Sequence, residues 1–195
     1  MARTPSNMLD LGTKIPSFLL PDTDGKQISD KDFKGKPLLV LFICNHCPFV
    51  IHIRQQLAAI GRDYLPKGIG IVAINSNDVV NHPDDAPDKM KIEKETAGYI
   101  FPYLFDESQA VAKAFKAACT PDIYLFDRTH LLAYRGQLDD SRPSNKMPVT
   151  GRDLRTALDA LVEGRPVLAE QKPSLGCNIK WKHPDSALLR STKGD

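Results

Sequence analysis

The stretch "FICNHCPF", residues 42–49, sets Cys44 and Cys47 two residues apart at the end of an apolar run, with Pro48 directly after. Three chemistries suit such a pair. It can cycle between dithiol and disulfide, supply half of a metal site, or hold a peroxide-reducing thiol beside a second thiol. Position discriminates among them. A thiol at a helix N-terminus faces unpaired backbone N–H groups and the positive end of the helix dipole, and both favour thiolate over thiol. Its pKa falls, and the thiolate is the reactive form. In that setting Cys44, just ahead of the first turn, is expected to be the more exposed, attacking thiol, with Cys47 tucked beneath it to resolve the mixed disulfide. His46 either stabilises the thiolate when protonated or is a solvated side chain on an exposed first turn.

A structural zinc site typically uses two such cysteine pairs. No second pair occurs: Cys119 and Cys177 stand alone, and His46 is the one histidine near the motif in sequence. A metal-binding or metal-delivery module built on Cys44, Cys47 and Cys119 or His46 is the non-enzymatic alternative. The main reading expects neither a metal nor a cofactor.

The surrounding elements must put the pair at a strand-to-helix junction. "LLVLFI" is apolar at every residue, as in a strand buried on both faces. Beyond it Phe49, Val50, Ile53, Leu57 and Ile60 recur at helical spacing, with Asn45 as N-cap and Pro48 in the first turn. Upstream, "FLLPDTDGKQIS" reads as a β-hairpin about Asp24-Gly25, followed by a short capped turn at 29–33. Downstream, "GIGIVAINS" is a second buried strand, a charged helix covers 89–97, "FPYLFD" is a brief extended piece, and Ser108 caps a helix over 108–118. "DIYLFD" and "LLAYRG" form a second hairpin. A polar loop, "QLDDSRPSNKMPVT", reads as a solvated connection whose charges pair locally. A helix with Leu154, Ala157, Leu158 and Leu161 on one face stops at Gly164. Strands alternating with helices imply parallel neighbours, and the hairpin adds an antiparallel edge. The fold class is α/β: a mixed sheet flanked by helices, with an N-terminal hairpin extension and an irregular C-terminal tail.

A chain of 195 residues with 42% hydrophobic and 26% charged residues suits one domain, with a core over about 9–165 and a tail at 166–195. The net charge of +2 argues for neither nucleic acid nor a membrane surface. The N-terminus has no signal-like apolar stretch, and the longest apolar run is far short of the roughly 20 residues that span a bilayer. A cytoplasmic location is expected. Four cysteines are too few for a disulfide scaffold.

At this point the motifs carry a family likeness. The opening "GTKIPSFLLPDTDGKQISDKDFKGKPLLVLFICNHCPF" resembles the alkyl hydroperoxide reductase/thiol-specific antioxidant (AhpC/TSA) group of the thioredoxin-like superfamily. "CTPDIYLFD", "YRGQLDDSRP", "VTGRDLRTALDALVEGRPV" and "LGCNIKWK" extend the resemblance to a peroxiredoxin-like subgroup, over roughly residues 9 to 182. The likeness implies a thioredoxin fold and makes Thr120-Pro121 a cis-proline dipeptide facing the motif. In peroxiredoxins the attacking cysteine is followed by proline, as Cys47 is by Pro48, within a Pro-x-x-x-Thr-x-x-Cys pattern. Here the threonine position is Cys44, the proline position is Val40, and the arginine would fall near Pro121. Those departures favour a thiol–disulfide oxidoreductase cycling Cys44/Cys47 in redox homeostasis. A thiol peroxidase with Cys47 peroxidatic is the alternative. Asn45, His46, Pro48, Thr120 and Pro121 support the pair. Cys119, next to Thr120, either fills space or joins the chemistry. Cys177 reaches Cys47 if the tail, anchored by Trp181, folds back. Expected partners are a protein or small-molecule disulfide, or peroxide, together with a thiol electron donor. A homodimer is open. His52, His82, His130 and His183 read as solvated.

Overall fold

The computed structural model describes residues 3–182. Among the described residues ten strands and four α-helices follow in chain order: β1 (Arg3–Pro5), β2 (Leu19–Pro21), β3 (Gln27–Ser29), β4 (Leu38–Phe42), α1 (Pro48–Tyr64), β5 (Gly70–Asn75), α2 (Pro87–Ala97), β6 (Tyr103–Phe105), α3 (Ala110–Ala114), β7 (Cys119–Thr120), β8 (Asp122–Phe126), β9 (Leu132–Arg135), α4 (Arg152–Val162) and β10 (Leu175–Asn178). The main sheet has the order β6-β5-β4-β8-β9. β4 is central, parallel to β5 and antiparallel to β8.

The unbroken apolar run of β4 has its reason in this placement, since every residue from Leu38 to Phe42 is buried. Successive side chains point to opposite faces. Leu39 and Leu41, with Ile43, join a layer that includes Ile53 and Leu57 of α1 and Leu154 and Leu158 of α4. Leu38, Val40 and Phe42 join the other layer, with Leu20 and Ile28 of the β2–β3 hairpin and Val111 of α3. On that side Phe115 meets Phe42, Tyr124 and Phe126 edge-on. Each such side chain contributes about 2 kcal/mol on burial. Together they fix where β4 ends and α1 begins.

Two expectations need correction. The helix placed at 108–118 is the short α3: Gln109 takes the left-handed conformation at its N-cap, and Ser108 serves by accepting the Ala110 N–H at 3.2 Å. The tail after Pro166 is not irregular throughout. β10 pairs with β7 on one edge and β1 on the other, making a three-stranded sheet from segments distant in sequence. The last part of the expected tail, 183–195, with His183, lies outside the described residues.

Candidate active site

β4 carries the chain to the motif. Ile43 N–H still bonds to Ile74 O at 3.0 Å, after which the backbone leaves the sheet. The N-cap of α1 is Cys47, in an extended conformation, and not Asn45 as expected. Pro48 opens the helix without an N–H to offer, so the cap falls to the residue before it. Asn45 instead fastens the loop. Its N–H donates to Asp85 Oδ1 and its amide to Asp84 O, both at 2.8 Å, and its side-chain carbonyl accepts from Tyr103 Oη at 3.0 Å.

The sulfurs are less accessible than their position suggested. Cys44 is 1% exposed and Cys47 0%, so neither thiol is the exposed one. β7 and β10 cover them. Cys44 Sγ lies 3.4 Å from Thr120 Oγ1, and Cys47 Sγ lies 3.1 Å from Thr120 O and 2.9 Å from Cys177 Sγ. The Thr120–Pro121 bond is cis. Ionisation also falls on the other sulfur. Donation from the Cys44 thiol, helped by Cys177 and the Val50 N–H and opposed by burial, lowers Cys47 to about 5. The same hydrogen bond holds the proton on Cys44, whose pKa lies well above the usual thiol range, and burial adds to it. Burial, with donation to Cys47, pushes Cys177 up to about 12. As a thiol Cys47 donates to Thr120 O; as a thiolate it accepts from its two neighbours.

His46 is neither solvated nor directed at the sulfurs. Its Nδ1 lies 2.7 Å from Asp85 Oδ2, and its ring stacks on His82 at 5.5 Å between centroids. The bond to Asp85 raises its pKa, against the opposing pull of burial. Burial pushes the Asp85 carboxyl up, yet donation from His46, Asn77 and the Asn45 N–H holds it below the usual carboxylate range. Among the described residues Cys44, His46 and Asp85 form a group whose ligand atoms lie within 4.8 Å of one another and are of metal-binding type. In the structure His46 and Asp85 pair with each other.

Cys119 is fully buried on β7, with Sγ 3.5 Å from Pro121 O. Burial, then the Asp122 carboxylate, push its thiol far above the usual range. The polar loop is not simply solvated. Asp139, almost fully buried, accepts from the Ser141, Thr150 and Gly151 N–H groups, and Ser141 Oγ lies 2.7 Å from His52 Nε2. His130 Nε2 lies 3.2 Å from Phe33 O. His52, His82 and His130 are thus engaged and half-buried.

The model of the AhpC/TSA family matches residues 11–135. The chain belongs to the AhpC/TSA family. A crystal structure of an uncharacterised conserved protein from Geobacillus kaustophilus is similar to this AhpC/TSA protein at a TM-score of 0.91. It is 55% identical, over 93% of this chain and 97% of that one. A Mycobacterium tuberculosis protein whose peroxiredoxin name is provisional is 28% identical over 130 residues, 62% of this chain and 73% of that one. The thiol-disulfide oxidoreductase ResA of Geobacillus thermodenitrificans is 27% identical over 130 residues, 64% of this chain and 68% of that one. The AhpC/TSA chain has a thioredoxin fold, as its central β4, the parallel β5 and the antiparallel β8 imply. Sequence reasoning brought Cys44, Cys47, Thr120 and, conditionally, Cys177 to this site. It missed Asp85, one of three acids in "HPDDAPD", because nothing local says which of them turns inward.

Proposed function

We propose that this protein is a thiol–disulfide oxidoreductase in which Cys44 and Cys47 cycle between dithiol and disulfide. The observation that carries the reading is the placement of both sulfurs at the start of α1 against the cis Thr120–Pro121 segment, Cys44 Sγ 3.4 Å from Thr120 Oγ1 and Cys47 Sγ 3.1 Å from Thr120 O. A thiolate paired with a thiol is the form that dithiol exchange needs. Cys47 thiolate attacks a substrate disulfide, forming a mixed disulfide and expelling one substrate sulfur as thiolate. Cys44 passes its proton to that leaving sulfur and attacks Cys47 Sγ. The Cys44–Cys47 disulfide forms, the second substrate sulfur leaves as thiolate, and a thiol donor later returns the two electrons. In this reading the roles of the two cysteines are the reverse of those expected from their order along the chain. The names borne by ResA and by the M. tuberculosis relative support a redox enzyme of this class. Composition supports a cytoplasmic location, where thiol pools keep such a pair reduced.

The test is reduction of an insulin disulfide with a thiol donor present. Cys47→Ser is expected to fall to the uncatalysed rate, and Cys44→Ser combined with Cys177→Ser, which removes both thiols beside Cys47, to accumulate a mixed disulfide on Cys47. The second reading, a thiol peroxidase with Cys47 peroxidatic, is favoured by the thiolate residing on the cysteine that precedes Pro48. Fast peroxide consumption with insulin left intact would move it to first place.

A further inference from the structure

β7 is two residues long, and its outer edge is where an extended substrate segment would add a strand beside the reactive sulfurs. The chain fills that edge itself. β10 pairs antiparallel with β7, with Cys177 opposite Thr120 and Asn178 opposite Cys119, and β1 closes its far side. The fit is close: a Cβ added at Gly176 would fall 2.1 Å from Thr120 O, so only glycine lets the two backbones approach so nearly. The next residue then brings its sulfur to Cys47, at 2.9 Å against about 2.04 Å for a disulfide bond. Cys47 is therefore flanked by two thiols, one from its own motif and one from β10.

We propose that Cys177 is a third redox-active cysteine of this site, resolving oxidised Cys47 from the β10 side to give a Cys47–Cys177 disulfide. The proposal rests on the oxidoreductase reading and extends it. Starting from the Cys44–Cys47 disulfide, Cys177 attacks Cys47 Sγ, the Cys47–Cys177 bond forms and the Cys44–Cys47 bond breaks. The proton of Cys177 passes to Cys44. No oxidant or reductant is consumed, because one disulfide replaces another. Starting from a mixed disulfide on Cys47, the same attack releases the substrate sulfur as thiol. Either route ties β10 covalently over the site and leaves Cys44 reduced.

The experiment oxidises the reduced full-length protein with glutathione disulfide and maps linkages by mass spectrometry, in the wild type, Cys44→Ser and Cys177→Ser. The expected result is a Cys47–Cys177 linked peptide alongside Cys44–Cys47 in the wild type. In Cys44→Ser, Cys47–Cys177 should replace the glutathione adduct within the same incubation. In Cys177→Ser, all of the protein disulfide should be Cys44–Cys47. If the wild type forms only Cys44–Cys47, and Cys44→Ser keeps glutathione on Cys47 with Cys177 reduced, the proposal is wrong while the oxidoreductase reading stands. If Cys47 takes neither glutathione nor a disulfide in any of the three, the oxidoreductase reading fails and the proposal fails with it.

Discussion

Two buried carboxylates lie near cysteines of this region, Asp85 near Cys44 and Asp122 near Cys119, and they behave oppositely. Asp85 and Asp122 are both 0% exposed. Asp85 meets a protonatable imidazole, an amide and a backbone N–H, and its pKa lies below the usual range despite burial. Asp122 accepts the Ala118 N–H and the Tyr124 hydroxyl on Oδ2, and among the described residues no ion pair reaches it and its Oδ1 has no hydrogen-bond partner. Burial therefore wins there, and its pKa rises to about 7. Depth alone does not set ionisation; the donors and the cation brought to each carboxylate do.

The comparison breaks most visibly at Asp85. Asp85→Ala leaves His46, Asn77 and the Asn45 N–H without their acceptor, and should cost about 3 kcal/mol in urea denaturation at mildly acid pH. Its linkage with pH has two sides. The depressed Asp85 contributes above 3.8 and is lost as pH falls through its lower folded value. The raised His46 contributes below 6.5 and is lost as pH rises through its higher one. The pair thus stabilises most between those two values. Asp122 runs the other way, since its raised pKa makes the native state bind more protons than the unfolded chain between 3.8 and about 7. Stability falls as pH rises through that window. Asp122→Asn should abolish that slope and gain on the order of 2 kcal/mol at about pH 8.

Ionisation of Cys47 sharpens the contrast at the sulfurs themselves. Ultraviolet thiolate absorbance should titrate with a midpoint of about 5. Cys44→Ser, which replaces the principal donor with a hydroxyl, should move that midpoint by about a unit or less, whereas Cys44→Ala should raise it further. The smallest effect is expected for Tyr103→Phe, which removes one hydrogen bond to Asn45 Oδ1 and should cost about 1 kcal/mol while leaving the thiolate midpoint in place.

The strand-to-helix junction was legible because its signals are local. An apolar run ends at the first cysteine, Pro48 marks the first turn, and Val50, Ile53 and Leu57 repeat at helical spacing. The covering strand was not. "LGCN" has no alternation to read, its partner β7 offers two residues, and the register between them is set by backbone fit at Gly176. Cys44 was expected to be the ionised, exposed thiol because the strand covering it is invisible from the motif alone. Asp139 looked like one more solvated charge because three of its four donors are backbone N–H groups, which composition does not display.

The contact between Cys47 and Cys177 joins residues 130 positions apart, and that between Cys47 and Thr120 residues 73 apart. During synthesis the chain emerges from the ribosome at about 5–20 residues per second, N-terminal part first. The CNHC motif therefore leaves the exit tunnel several seconds before β10 exists to close over it. For that interval the fold does not shield its thiols from oxidants or from other nascent chains.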